Sequence, residues 1–327
     1  MGRGFWRQPL HRANSTPYPT RTFPSAPRSA SIAPMSTAPE PAPTLRFACT
    51  SCGACCNRSP EVQLSEAAAL AGTFVFRLMF RLYDLPRAFA ARTAAAASPA
   101  EFYESRRLLA AFAARQYPAK LRREGKPVDY IRSLAVSALS LDTGGGACAA
   151  LHEGRCTIYE RRPAACRSVP FHYSRAEASA GRDLAAFVAT PGYGCDTGPN
   201  APIVLEAGRI VDSETRRARS DALALAGQDR PWTRAILRRM KPGSRNSGLP
   251  GHREIEANAP FGATTVSMGV AWRIAADAGL IAPGQCRSLI ADQSALIGEA
   301  LAAPLCPPDE RETLREMRAE YRALLNG

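Results

Sequence analysis

Cys49, Cys52, Cys55 and Cys56 fall within the eight residues C-T-S-C-G-A-C-C. Thiolates are soft metal donors, and C-x2-C-x2-C spacing is how one loop folds several of them onto one metal ion or cluster. Gly53 gives that loop the backbone freedom it needs. Cys55 and Cys56 are adjacent, so their side chains diverge, and they serve two metals or one of them bridges. Core packing is a poor account of four cysteines in eight residues.

A second group, Cys148, Cys156 and Cys166, lies in C-A-A-L-H-E-G-R-C-T-I-Y-E-R-R-P-A-A-C. The Cys148–Cys156 segment suits a hairpin or tight loop, and Pro163 suits the start of a short helix whose N-terminal dipole favours the Cys166 thiolate. Cys195, in P-G-Y-G-C-D-T-G, is an eighth candidate ligand on a Gly-rich turn. Neither group alone makes a sound four-thiolate site, so the two are expected to converge despite about 90 intervening residues. Arg58, Arg155, Arg161, Arg162 and Arg167 can offset thiolate charge or simply face solvent. His152 and His172 could each ligate, but a lone histidine is more often a hydrogen-bonded side chain; the isolated Cys286 and Cys306 are read as buried structural cysteines.

The run Cys49 to Cys56, followed by C-T-I-Y-E-R-R-P-A-A-C-R from Cys156 to Arg167, resembles the YkgJ-type CxxCxxCC cysteine-cluster family over roughly residues 46–198. That family is described as a zinc- or iron-chelating domain, and the flagellin lysine N-methylases of some bacteria carry a similar cluster. The resemblance places Cys49, Cys52, Cys55 and Cys56 on its first motif, Cys148 on a further cysteine, and Cys156, Tyr159, Pro163 and Cys166 on its second. Family members often have a cysteine directly before the Pro-Gly-x-Gly turn; here Thr190 stands there and Cys195 follows the turn.

The expected activity is chelation of zinc or iron, an iron-sulfur cluster included, by Cys49, Cys52, Cys55, Cys56, Cys148, Cys156, Cys166 and Cys195. The alternative is an iron-sulfur enzyme similar to flagellin lysine N-methylase, with a protein partner such as flagellin; no catalytic residue is assigned. Ser59 occupies the position before Pro60 where a ferredoxin has its fourth cysteine, so the first motif is not half of a ferredoxin. Spacing alone does not choose between two zinc ions and a four-iron cluster plus a second site; the methylase resemblance leans toward iron. A nucleic-acid module would need a base-reading helix beside the cysteines, and none is evident.

The elements that must position these residues begin after a leader. Residues 1–43 are rich in Pro, Ser, Thr and Arg without hydrophobic periodicity, and are expected to be disordered. They resemble a transit peptide, although a start codon assigned too early, with Met35 as the true start, is the preferred reading. Five arginines and no acid fall before Glu40; the remaining 37 basic and 29 acidic residues leave +8 of the net +13. No apolar run reaches the ~18 residues of a membrane span, no secretory signal is evident, and ten cysteines without a secretory context read as reduced thiols, so a cytoplasmic location is expected.

The predicted fold is α+β and mostly helical: a small irregular cysteine-rich metal-binding core with helices and a short hairpin. A cysteine-cluster domain is expected over 44–200 and a helical portion over 201–327. Periodicity predicts a buried helix from Ser65 to about Leu82, a helix capped by Ser98 and Glu101 to about Gln116, and a strand from Val128 toward the Asp142–Gly146 turn. A hairpin around Ala207-Gly208 follows, then helices at about 214–225, 231–240, 266–278, 285–302 and 308–325, with a loop over 241–262. In the last helix Leu314, Met317, Tyr321 and Leu324 form one apolar stripe.

Overall fold

The computed structural model describes residues 44–56, 60–115, 117–123, 126–139, 148–240, 249–250, 254–255, 263–303 and 308–326. The expected leader, the turn at 142–146, most of the loop over 241–262, Arg58 and Cys306 lie outside them.

The fold is α+β and mostly helical. Its main sheet is built on β3 (Phe76–Asp84), where Phe76, Leu78, Phe80 and Leu82 point into the core and Arg77, Arg81 and Tyr83 to the other face. That is the period-2 pattern of a strand. The helix expected from Ser65 to Leu82 is therefore corrected: α1 covers only Leu64–Ala69, and the chain turns before entering β3. A short apolar run reads equally as helix or strand, and here Gly72 and the run Thr73, Phe74, Val75, Phe76 favour extension. Arg77 and Arg81 share a face, as residues four apart do at the strand period, and they pair with Glu310 (2.9 Å) and Glu61 (2.5 Å).

β3 is central because it is paired on both sides. β5 (Lys126–Ala138) runs antiparallel to its whole length, from Phe76 opposite Ala138 to Asp84 opposite Tyr130. On the other edge lies β10 (Ala263–Ser267), pairing Thr265 with Met79. The far edge of β5 pairs with β2 (Glu61–Val62) and with β4 (Tyr117–Arg123). Neither β4 nor β10 was expected. Each is a short strand beside a stronger helical signal. On the near side of β5, α2 (Leu85–Ala94) and α3 (Pro99–Arg115) intervene, the latter capped as predicted: Glu101 N–H donates to Ser98 Oγ (3.2 Å), and Ala97 N–H donates back to Glu101 Oε2 (3.0 Å).

Helices from the second half of the chain close the main core. These are α6 (Ser213–Gln228), α7 (Arg230–Arg239), α8 (Met268–Asp277), α9 (Pro283–Ala302) and α10 (Pro308–Asn326). Trp272 is fully buried among them, and Leu314, Met317 and Tyr321 form the buried stripe expected of α10, with Leu324 packed beside it. Gly269 lets Tyr321 cross closely, since a Cβ there would stand 2.5 Å from Tyr321 Cε1.

A second, smaller core lies under the sheet β1 (Leu45–Arg46), β8 (Ile203–Glu206) and β9 (Arg209–Ile210). The β8–β9 turn is the predicted hairpin, with Ala207 and Gly208 at φ 48° and 74°, the pair of left-handed residues a tight two-residue turn demands. Phe47, Phe171, Ala180, Leu184, Val204, Leu205 and Ile210 fill this core, with α5 (Ala180–Val188) covering it. The cysteine loops lie against both cores: Cys148 and Cys156 pack on the main one and Cys195 on the smaller one.

Candidate metal centre

The first cysteine motif hangs between two backbone anchors. Before it, Ala48 and Asp196 exchange hydrogen bonds (2.7 and 3.1 Å), and Phe47 N–H donates to the Pro202 carbonyl (3.1 Å). After it, Cys56 N–H closes the Ala54–Cys56 3-10 turn on the Gly53 carbonyl (2.8 Å), and the Cys56 carbonyl accepts from Cys148 N–H (2.9 Å). Between the anchors, Ser51 and Gly53 sit at φ 57° and 73°, so the loop coils tightly, and Ser51 N–H points at Cys49 Sγ (3.4 Å).

Gly53 is required by contact as well as by φ. A Cβ there would stand 2.6 Å from the Gly154 carbonyl oxygen and 2.9 Å from Leu151 Cδ1, and a backbone oxygen cannot yield. Gly154 belongs to the turn between β6 (Leu151–His152) and β7 (Arg155–Cys156), the hairpin expected from the sequence. Leu151 N–H donates to the Cys148 carbonyl (2.8 Å), and Leu151 pairs with Cys156, so the hairpin presents Cys148 and Cys156 to the first motif.

Cys166 arrives on α4 (Ala164–Arg167), opened by Pro163 as expected. What aims this helix is Glu66, which sequence reasoning did not single out. Its Oε1 accepts from Ala164 N–H (2.7 Å) while Oε2 accepts from Gln63 N–H (3.1 Å), so one carboxylate caps α1 and tethers α4. The Q-x-x-E spacing of Gln63 and Glu66 was the available signal. Cys195 is brought in by the Ala48–Asp196 bridge. The preceding Gly194 packs on Cys52, where an added Cβ would lie 3.8 Å from Sγ, and its carbonyl accepts from Thr50 Oγ1 (2.8 Å).

The two cysteine groups therefore meet. Cys56 lies within electrostatic reach of Cys148 and Cys156, and Cys166 within reach of Cys148, Cys156 and Cys55. On the other side, Cys195 is within reach of Cys52, Cys49 and Cys55. Cys49 and Cys52 are exposed; the other six are partly covered.

The thiols differ in acidity for physical reasons. A hydrogen bond donated by the Cys56 thiol pulls Cys55 down to about 6 against the cost of burial, with Arg162 helping; the same bond and burial hold Cys56 far above the ordinary thiol range. Hydrogen bonds from the Ala54 and Gly194 backbone, with one from Thr50, lower Cys52. Burial pushes Cys166 up to about 12, with Cys148 and Cys156 adding to it, so the dipole of a four-residue helix does not decide its state. Burial also raises Cys148 and Cys195.

Of the arginines proposed to offset thiolate charge, Arg162 reaches both Cys55 and Cys166 and lies over the Tyr159 ring at 3.6 Å. Arg167 is engaged elsewhere, by Asp221 (3.1 Å) and the Arg162 carbonyl (3.2 Å). His152 is exposed on β6, and His172 stacks on Tyr173 with Ser174 as its hydrogen-bond partner. Cys286 is buried in α9, as expected.

By kind and neighbourhood, this donor set fits a thiophilic metal: free thiols on four separate segments, with a guanidinium beside them. Among the described residues, no three Cys, His, Asp or Glu side chains converge as placed on one metal-sized point, so ligation requires the cysteines to turn about χ1. No curated protein and no solved structure matches the chain. A family model matches residues 48–186, which hold every one of the eight thiols except Cys195. That match supports metal binding, by zinc or iron: residues 48–186 are similar to the family described as "CxxCxxCC: Putative zinc- or iron-chelating domain".

Proposed function

We propose that this chain is a metal-binding protein in which Cys49, Cys52, Cys55, Cys56, Cys148, Cys156, Cys166 and Cys195 chelate zinc or iron, with an iron-sulfur cluster as one form the thiol set accommodates. The observation that carries the reading is the backbone link from Cys148 N–H to the Cys56 carbonyl, which joins two cysteine groups far apart in sequence. Thiols brought together at the cost of closing so long a loop, yet left unpaired as disulfides, gain a purpose when a cation neutralises their mutual repulsion. Free thiols throughout the described residues also favour a reducing compartment such as the cytoplasm.

Anaerobic purification followed by elemental mass spectrometry and an optical spectrum tests the reading. Iron-sulfur would give a dark protein and zinc a colourless one. The double variant Cys52→Ser, Cys166→Ser, with one change in each group, is expected to lose bound metal and to destabilise residues 46–198, whereas Cys286→Ser keeps wild-type metal content. Wild-type metal content in the double variant, or metal loss in Cys286→Ser, would show the ligand set to be wrong.

A further inference from the structure

Cys166 is the one candidate ligand carried by an α-helix, and that helix, α4, has four residues. A single helical turn does not hold itself, so α4 has to be fixed from outside. One tether is the Glu66 carboxylate on Ala164 N–H. The others come from α6, which carries no cysteine and lies beyond Cys195 in the chain. Asp221 takes the Arg167 guanidinium (3.1 Å). Arg219 donates from Nη1 to the carbonyls of Phe171 and His172 (2.9 Å each) and from Nη2 to that of Arg175 (2.9 Å), so it clasps the loop that follows α4. Asp229, buried at the end of α6, accepts from Leu64 N–H (2.5 Å) and Ser65 N–H (3.0 Å), and so holds the first turn of α1, whose Glu66 reaches α4. Gln63 closes the ring from the other side, its Nε2 donating to Tyr173 Oη (2.9 Å).

We infer that Arg219, Asp221 and Asp229 are positioning residues of the metal centre: they fix the backbone from Ala164 to Arg175 and so set how readily Cys166 meets a metal ion. The inference rests on the metal-binding reading above. Because the cysteines must turn about χ1 to ligate, what the fold can prepare beforehand is the backbone of each, and the last rotation is left to the ion. For Cys156 that preparation is the β6–β7 pairing; for Cys166 it is the set of bonds from α6 and α1. Without them the segment would have to be ordered at the moment of binding, and that entropy would be subtracted from the affinity. Arg219 suits the task because one planar guanidinium serves three carbonyls at once, which a lysine ammonium on its flexible stem does not reproduce. α6 is thereby part of the site although it supplies no ligand.

Iodoacetamide applied to the metal-free, reduced, full-length protein, with each cysteine followed by mass spectrometry, measures the hold on Cys166. Zinc alone, partitioned against a colorimetric chelator, measures the consequence. In Arg219→Gln and Asp229→Asn, Cys166 is expected to react at least about threefold faster than in the wild type, because local opening of its segment becomes easier. Zinc affinity should fall on the order of tenfold in the same variants. Asp221→Asn, which opens only a half-exposed ion pair and has little bearing on folding, should shift both readouts the same way by less. Arg239→Gln, which opens the Arg239–Asp277 pair (3.1 Å) away from α4, should shift neither. In a Cys166→Ser background, Arg219→Gln should lower zinc affinity no further. Unchanged Cys166 reactivity in folded Arg219→Gln and Asp221→Asn, a rate that rises equally at the buried Cys286, or an equal loss of zinc affinity with and without Cys166 would overturn the inference. A wild type that retains no zinc would instead overturn the metal-binding reading for that ion, whatever the alkylation shows.

Discussion

His172 illustrates how far a side chain near the cysteines can be shifted without joining them. Burial pulls its imidazole down to about 4, and Arg175, Arg219 and Arg92 add to the effect while Glu61 opposes it. Ser174 N–H donates to its Nδ1 (3.2 Å), so the folded chain holds a neutral ring. Unfolding returns the ring to an ordinary value near 6.5, at which it takes up a proton. Stability from this group is therefore complete above pH 6.5 and is lost as pH falls toward 4, by roughly 3 kcal/mol in the limit. Urea unfolding of wild type and His172→Asn at pH 7 and pH 4.5 should show the wild type losing more stability on acidification than the variant. Equal losses would place the ring in water in the folded chain. Thiol protonation is common to both proteins and cancels in the comparison. At this scale the sequence was informative about kind and poor about setting. Eight thiols could be named from spacing, but Glu66 and Thr50 are unremarkable residues whose roles come from where Ala164 and Gly194 arrive in space.

Among the elements, α9 reaches the entry of the main sheet with a buried amide as well as with apolar packing. Gln293 is fully buried; its Oε1 accepts from Phe76 N–H (2.9 Å), and its Nε2 donates to the carbonyls of Ala71 (2.6 Å) and Phe74 (2.7 Å). It supplies the hydrogen bonds that the chain lacks where it leaves the turn after α1 and enters β3. Gln293→Leu keeps the volume and strands three buried backbone groups, so a loss of about 2–5 kcal/mol is expected, seen as a lower Tm or denaturation midpoint. A change under about 0.5 kcal/mol would mean that water reaches those groups. This junction also explains the misread helix. Residues 64–82 carry an apolar pattern that a helix satisfies as well as a strand does, and the deciding contacts, Gln293 and the strands β5 and β10, come from up to 222 residues away. The helices α6 to α10, by contrast, carry their helical pattern within their own segments, and sequence located them closely.

At the scale of the whole molecule, the cysteines lie where two cores of unequal size meet. The main core draws on residues from Val62 to Tyr321, and the smaller one on a few residues of β1, β8, β9 and α5. Removing metal should act mainly on the smaller partner, because fewer buried contacts oppose its local opening. Hydrogen exchange with and without a chelator is expected to show faster exchange over 45–56, 148–166 and 194–210, with α8, α9 and α10 keeping their protection. Uniform loss of protection would indicate one cooperative unit. Among the described residues no helix is long and apolar enough to cross a membrane. The joint position of the thiols also has a reciprocal side. Whatever free energy an ion gains by drawing Cys195 toward Cys148 and Cys156, the two bodies of packed side chains must gain as resistance to separating. Substitutions such as Leu184→Ala or Ile210→Val, which touch no sulfur, would then retune the affinity for the ion. Selection acting on apolar packing could set how tightly this chain grips its metal without altering a single ligand.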